Sequence, residues 1–258
     1  MRALGLGVLP SRPTLRQRVD THAASWFDLA PQVNHLLLSS RISGQPIDFG
    51  TLPSGYTPAD LGTLAMDNWG TNKELVGPTY AGVDGCCLFA VYFGGLGYCL
   101  GSALRPGVQH SATESEYNFE RALPMTASMV STPLVVRADS GFCSAKLMQE
   151  ITSYTNTLQR EIAFIMKWNP RKSPVETMAA NRVAEPTSTQ WMSERSGKRG
   201  CLWQEGLELA GEGGPTNPAR RTYRLTERTI DKHGNALLLP EYVFKGLATT
   251  LPEGFSCE

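Results

Sequence analysis

The sequence predicts an α/β protein in which helices flank a mixed β-sheet and a β-rich segment follows towards the C terminus. Between residues 60 and 168 the apolar patterns alternate in the order β-β-β-α-β-α-β. Gly94 and Gly95 separate two apolar runs, which predicts an antiparallel hairpin at one side of the sheet. After Pro170 the chain becomes rich in Pro, Ser, Thr and charged residues before two alternating strands follow. A chain of 258 residues can bury a sizeable core in such a fold.

The composition is that of a soluble globular protein, with 41% hydrophobic and 19% charged residues. No apolar run is long enough to cross a bilayer, and the apolar start is too short for a secretory signal, so we expect a cytosolic protein. The six cysteines form no C-x-x-C pair and the four histidines are scattered, which argues against a zinc site or a disulfide framework. The formal net charge is zero, so nucleic-acid binding would require charge that is segregated along the chain.

The patterns divide the chain into three parts. Residues 1–58 predict a helical lead-in, with helices between 14 and 40, and a connector that is rich in glycine and proline. Residues 59–169 predict the core, and residues 170–258 predict a β-rich subdomain. The core strands are expected at 60–66, 86–93, 98–104, 134–139 and 162–168, and its helices at 112–129 and 144–158. The β-rich part is expected to form a hairpin from strands at 220–230 and 236–244.

Asp139 is the first candidate for chemistry, because it ends a short buried strand, L-V-V-R-A-D, and Ser140-Gly141 follows at once. Ligands bind outside the carboxyl ends of strands in α/β sheets, but Asp-Ser-Gly is also ordinary turn chemistry. Asp60 or Asp67 supplies a second acid near the first core strand. Acids from neighbouring strands are the ligands that two divalent ions need in phosphoryl transfer, since Mg²⁺ prefers hard oxygen donors.

The segment from Lys167 to Arg199 carries seven bases against three acids. We predict that Lys167, Arg171, Lys172 and Arg182 bind DNA through its phosphates. The alternative is that this segment is only a solvated loop.

Four ordered motifs carry a resemblance to a known family. They are T-P-A-D-L-G-T-L-A-M-D-N-W-G-T-N-K-E (57–74), Y-A-G-V-D-G (80–85), L-R-P-G-V-Q-H-S (104–111) and L-V-V-R-A-D-S-G-F (134–142). Together they resemble the DDE-type transposases of the insertion-sequence thirteen-eighty family, over about residues 4–252. The resemblance implies a ribonuclease-H-like core that binds Mg²⁺ or Mn²⁺, nicks transposon ends and joins the 3′-hydroxyl to target DNA. It also implies a β-rich insertion before the last catalytic helix.

Residue by residue, Asp139 matches the family's second catalytic acid, with Arg137, Gly141 and Phe142 on its flanking motif. The first acid falls in a D-x-D pattern that reads Asp60-Leu61-Gly62 here, so Asp60 is the candidate substitute two residues away. Asp67 matches a D-N-S-G motif that has Trp69 in place of serine, and we interpret it as a turn residue. The third acid lies on a helix beyond L-P-E-G-F-S-C-E, where the sequence stops. The resemblance therefore predicts Asp139 and Asp60 as catalytic metal ligands, with Mg²⁺ binding weakened, in a truncated and inactive copy.

The predicted function is thus that of an insertion-sequence transposase, with transposon ends and target DNA as partners, self-association allowed and no membrane partner. We expect it in the bacterial cytoplasm, at the nucleoid. The alternative is a non-catalytic DNA-binding or interaction module that keeps the fold. A hydrolase using Cys143 or Ser140 with His110 is a third reading, but no nucleophile elbow or paired base is visible.

Overall fold

A computed structural model describes residues 11–39, 47–170, 173–185, 191–209 and 218–252. The chain divides into two compact units, residues 1–48 and 49–258. In the first unit, α1 covers Arg12–Thr21 and α2 covers Ala23–Ser39, which confirms the helices predicted between 14 and 40. No described helix is both long and apolar enough to span a membrane.

The second unit is built on one large sheet, in which ten strands are described. They are β1 Thr57–Asp67, β2 Gly77–Pro78, β3 Asp84–Phe93, β4 Tyr98–Pro106, β5 Leu134–Ala138, β6 Ile162–Lys167, β7 Met192–Arg195, β8 Lys198–Gly206, β9 Arg220–Ile230 and β10 Ala236–Thr249. Its described helices are α3 Ser115–Met129, α4 Ala145–Thr157 and α5 Val175–Ala184. The predicted mixed α/β fold, with helices flanking a large sheet, is confirmed at this level.

The strands follow the order β2-β3-β1-β5-β6-β10-β9-β8-β7, and β4 pairs with β3. β3 runs antiparallel to β1 and β4, which confirms the predicted hairpin, whereas β5 runs parallel to β1 and β6 runs parallel to β5. β10 pairs antiparallel with both β6 and β9. The boundary predicted near residue 170 therefore falls within a single continuous sheet.

The turn between β3 and β4 shows why glycine is needed there. Gly94 has a φ of 76°, in the left-handed region, and a Cβ at this position would lie 2.1 Å from the carbonyl oxygen of Phe49. A larger residue would have to displace the backbone that packs against this turn.

One face of the sheet, the covered face, lies under the helices. It carries the fully buried side chains of Phe89, Phe93, Leu134, Val136 and Phe164. Phe89 packs edge-on against Phe142, which lies just before α4, and Tyr154 of α4 meets a ring of α3. Further along the sheet, Leu225 of β9 packs against Ala179 of α5. The described helices of residues 49–258 thus pack on the same face.

The opposite face, which we call the open face, carries the alternate side chains of each strand. Strand pairing places Asp60, Arg137 and Ile165 side by side on it, and continues that row through Thr249 to Arg220. Several of its apolar side chains are exposed, namely Leu64, Met66, Leu104 and Leu202. At the other end of β5, Tyr56 and Leu251 cover it locally.

Candidate functional site

Asp139 lies immediately after β5, at the carboxyl end of a buried strand, as the sequence predicts. Its Oδ1 accepts a hydrogen bond from the N–H of Gly141 at 2.7 Å. The next carbonyl, that of Ser140, accepts a hydrogen bond from the side chain of Asn169 at 3.2 Å, which ties this turn to the end of β6. Asp139 therefore lies both at the end of a strand and in a turn, and the turn engages one of its carboxylate oxygens.

Gly62 is the residue of β1 that lies beside Asp139. Leu61 pairs with Ala138 in the parallel ladder, so Gly62 and Asp139 are the next residues along the two strands. A Cβ on Gly62 would meet no atom within 4 Å, and its backbone is not in the left-handed region. The local structure would therefore accept a side chain at this position, where the chain has none.

Asp60 is held by an arginine. Asp60 of β1 pairs with Arg137 of β5 in the parallel ladder. Gly62 and Asp139 each lie two residues further along the chain. The guanidinium donates to both carboxylate oxygens, from Nε to Oδ1 at 2.6 Å and from Nη2 to Oδ2 at 2.7 Å. The hydrogen bonds that Arg137 donates to Asp60 raise the pKa of Arg137. Arg137 therefore stays charged, and both oxygens of Asp60 are engaged in a bidentate ion pair.

Asp67 lies at the end of β1, and its Oδ1 accepts a hydrogen bond from the N–H of Trp69 at 2.8 Å. This bond closes a short turn, which agrees with its interpretation as a turn residue. Within the described part of the chain, no group of three or more His, Cys, Asp or Glu residues could hold a metal ion. The described carboxylates around Asp139 therefore do not fit a two-metal centre.

The structure separates the predicted DNA-binding residues. Lys167 is the last residue of β6 and is exposed. It follows Met166, which pairs with Ala138 of β5. Arg182 of α5 stacks 4.7 Å from the ring centre of Trp203, on the covered face. Arg171 and Lys172 lie outside the described residues. The solvated-loop interpretation of this segment is wrong for residues 175–184 and 192–195, which form α5 and β7.

The structure does not support the hypothesis of a hydrolase that uses Cys143 with His110. Burial raises the pKa of the Cys143 thiol, whereas a nucleophilic cysteine needs a lowered one. The Nδ1 of His110 accepts a hydrogen bond from the backbone N–H of Ala112 at 3.2 Å, within its own turn.

Sequence reasoning missed the bases on the open face of the β-rich half. Arg220, Arg224 and Arg228 of β9 point to this face because they are spaced by four residues in an extended strand. Lys245 of β10 pairs directly with Arg224, so it joins them. The alternation R-R-T-Y-R-L-T-E-R (220–228) predicts that these arginines share one face of a strand. The sequence does not predict that this face is exposed, because that depends on which face α5 covers.

No family model and no curated protein matches this chain. Among solved structures, it is similar to the one described as the cryo-EM structure of piggyBac transposase synaptic complex with hairpin DNA. The sequence identity is 10% and the TM-score is 0.37, over 80% of this chain and 35% of the other. The chain therefore spans about a third of the length of that protein.

Proposed function

We propose that this protein binds DNA through a transposase-derived, ribonuclease-H-like core and does not cleave it. The arrangement β4-β3-β1-β5-β6, with an antiparallel hairpin beside β1 and two strands parallel to it, supports such a core. The four ordered motifs of the insertion-sequence thirteen-eighty family support its derivation from DDE transposases. Three of these motifs lie together at the carboxyl end of β5. Leu61 of the first motif pairs with Ala138, and a Cβ on Gly141 would lie 3.2 Å from the side chain of Ser111, the last residue of the third motif.

The observation that carries the proposal is the end of the β1–β5 ladder at Leu61 and Ala138: the next residue on β1 is Gly62, not an acid, and the next residue after β5 is Asp139. Two-metal phosphoryl transfer needs carboxylates from neighbouring strands to position both ions. Asp60 lies one step too early on β1, and Arg137 occupies both of its oxygens. With Asp139 alone, a Mg²⁺ ion would keep most of its waters and would leave the attacking water unpositioned. Divalent metal binding is therefore weak, and cleavage is lost.

A combined binding and nicking assay tests the proposal. Purified protein is incubated with labelled duplex DNA, and separately with supercoiled plasmid in Mg²⁺ or Mn²⁺, beside the Asp139→Ala variant. We expect both proteins to bind the duplex and neither to nick the plasmid. Nicking by the unmodified chain that Asp139→Ala abolishes would overturn the loss of catalysis. Failure of the unmodified chain to bind duplex DNA at low salt would overturn the proposal as a whole.

A further inference from the structure

The open face of β8, β9 and β10 concentrates positive charge in a protein whose formal net charge is zero. Counting β7 and the adjoining end of β6, strand pairing and ion pairs place seven bases on this face together with two acids. The bases are Lys167, Arg195, Lys198, Arg220, Arg224, Arg228 and Lys245, and the acids are Glu194 and Glu241. The charge is local, so this face can attract a polyanion that the molecule as a whole would not.

Several of these bases make no ion pair. Among the described residues this holds for Lys167, Lys245 and Arg228, although Glu241 is the ladder partner of Arg228, and the buried Nε of Arg228 has no hydrogen-bond partner. Lys198 and Arg224 share the single carboxylate of Glu194. The face therefore keeps a surplus of positive charge after its internal ion pairs are made.

The geometry of the sheet arranges these charges in a band. Arg224 pairs with Lys245, and Arg228 pairs with Lys198 across the β8–β9 ladder. Neighbouring strands lie about 4.8 Å apart, so the band from β6 to β8 is roughly 14 Å wide. Each strand of B-DNA presents a phosphate about every 3.4 Å along the axis, so a band of this width can meet several phosphates.

The band reaches the site around Asp139. Lys167 follows Met166, whose ladder partner Ala138 precedes Asp139. Gln204 of β8 and Thr222 of β9 pair with each other on the same face. Their side chains add hydrogen-bond donors that suit phosphate oxygens.

We propose that this open face, centred on Arg224, Lys245 and Lys167, binds the sugar–phosphate backbone of DNA. The inference rests on the proposed DNA-binding function and assigns its surface. The contacts are to phosphates, so binding is independent of base sequence and falls steeply as salt rises. Glu194 lies within the band and weakens it, because its carboxylate occupies Lys198 and Arg224.

The test is fluorescence anisotropy of a labelled duplex of arbitrary sequence over a series of salt concentrations. The double variant Arg224→Gln/Lys245→Gln should lower the slope of log affinity against log salt by about two, and Lys167→Gln should lower it by about one. The matched control is Arg121→Gln/Lys146→Gln, which removes two charges from helices on the covered face and should leave the slope unchanged. Glu194→Gln should tighten binding. Circular dichroism at each salt concentration confirms that every variant is folded.

Three outcomes would overturn the inference. If the double variant and its control bind alike while the unmodified chain binds DNA, the surface is wrong but the proposed function stands. If the double variant loses binding only to vesicles of phosphatidylserine and phosphatidylcholine, the face serves a membrane. If Glu194→Gln weakens DNA binding while remaining folded, the carboxylate does not compete with phosphate. An unmodified chain that binds no DNA refutes the proposed function itself.

Discussion

Arg137 limits the chemistry of Asp60, the acid of β1 that lies closest in register to Asp139. The planar guanidinium matches the carboxylate of Asp60 in a two-bond fork, a geometry that lysine could not reproduce. The two side chains remain 42% and 35% exposed, so water screens their attraction and the pair is worth little to stability. Its main consequence is chemical, because a carboxylate held on both oxygens is a poor ligand for a divalent ion.

A double-mutant cycle measures this pair directly. Asp60→Asn, Arg137→Gln and the double variant should give a coupling free energy of about 0.5 to 1 kcal/mol in urea unfolding. A coupling indistinguishable from zero would mean that the ion pair does not form in solution.

Glu194 gives the protein a specific response to acid. Hydrogen bonds from Lys198 and then Arg224 lower its pKa from 4.5 to about 2. The folded state therefore prefers the ionised form, and this stabilisation is present above about pH 4.5 and lost as the pH falls through about 2. Glu194→Gln should be less stable than the unmodified chain at pH 7, and the difference should shrink as urea unfolding is repeated towards pH 3. A difference that is constant with pH would show that charge is not the cause.

β1 shows that the sheet is buried on one side and open on the other. Leu61, on the covered face, is 5% exposed, whereas Leu64, on the open face, is 61% exposed. These two leucines lie in the same strand and form a matched pair. Leu61→Ala should lower the free energy of unfolding by about 2 to 5 kcal/mol. Leu64→Ala should change it by less than about 0.5 kcal/mol, and equal losses for the two variants would contradict the one-sided arrangement.

The elements that the sequence predicted are those with strong local patterns. β5 begins with the apolar run Leu134–Val136 and is followed at once by turn residues. α4 begins after Ser144, whose hydroxyl accepts a hydrogen bond from the N–H of Leu147. α5 was missed because its stability is not local. It buries little besides Ala179, whose contacts with Leu225 and Cys201 come from strands more than twenty residues away.

The candidate site was predictable only where a local sequence pattern defines it. Asp139 ends a strand whose pattern is visible in the sequence, so its position could be inferred. The pairing of Asp60 with Arg137 depends on the register between β1 and β5, and a shift of one residue would have turned the side chains to opposite faces. Register is set by packing across the whole sheet, and the sequence of either strand does not state it.

Across the whole molecule, the pairing of β6 with β10 joins the β-rich half to the core. Trp168 packs edge-on against Tyr223, and the hydroxyl of Thr249 donates to the carbonyl of Phe164 at 2.8 Å. We therefore expect the two halves of the sheet to open together. Native-state hydrogen exchange should give the amides of Val136 and Ala248 the same free energy of opening. An opening of Ala248 that costs several kcal/mol less would mean that the β-rich half unfolds on its own.

The measurement that tests the account most directly is a calorimetric titration with Mn²⁺ of the unmodified chain and of the Gly62→Asp variant. The space beside Gly62 accepts a side chain, so the variant should place a carboxylate next to Asp139 without disturbing the fold. We predict no saturable binding by the unmodified chain, and a saturable site in the variant that a further Asp139→Ala change removes. Saturable binding by the unmodified chain that Asp139→Ala abolishes would contradict the account, since a metal site would then exist without an acid at position 62.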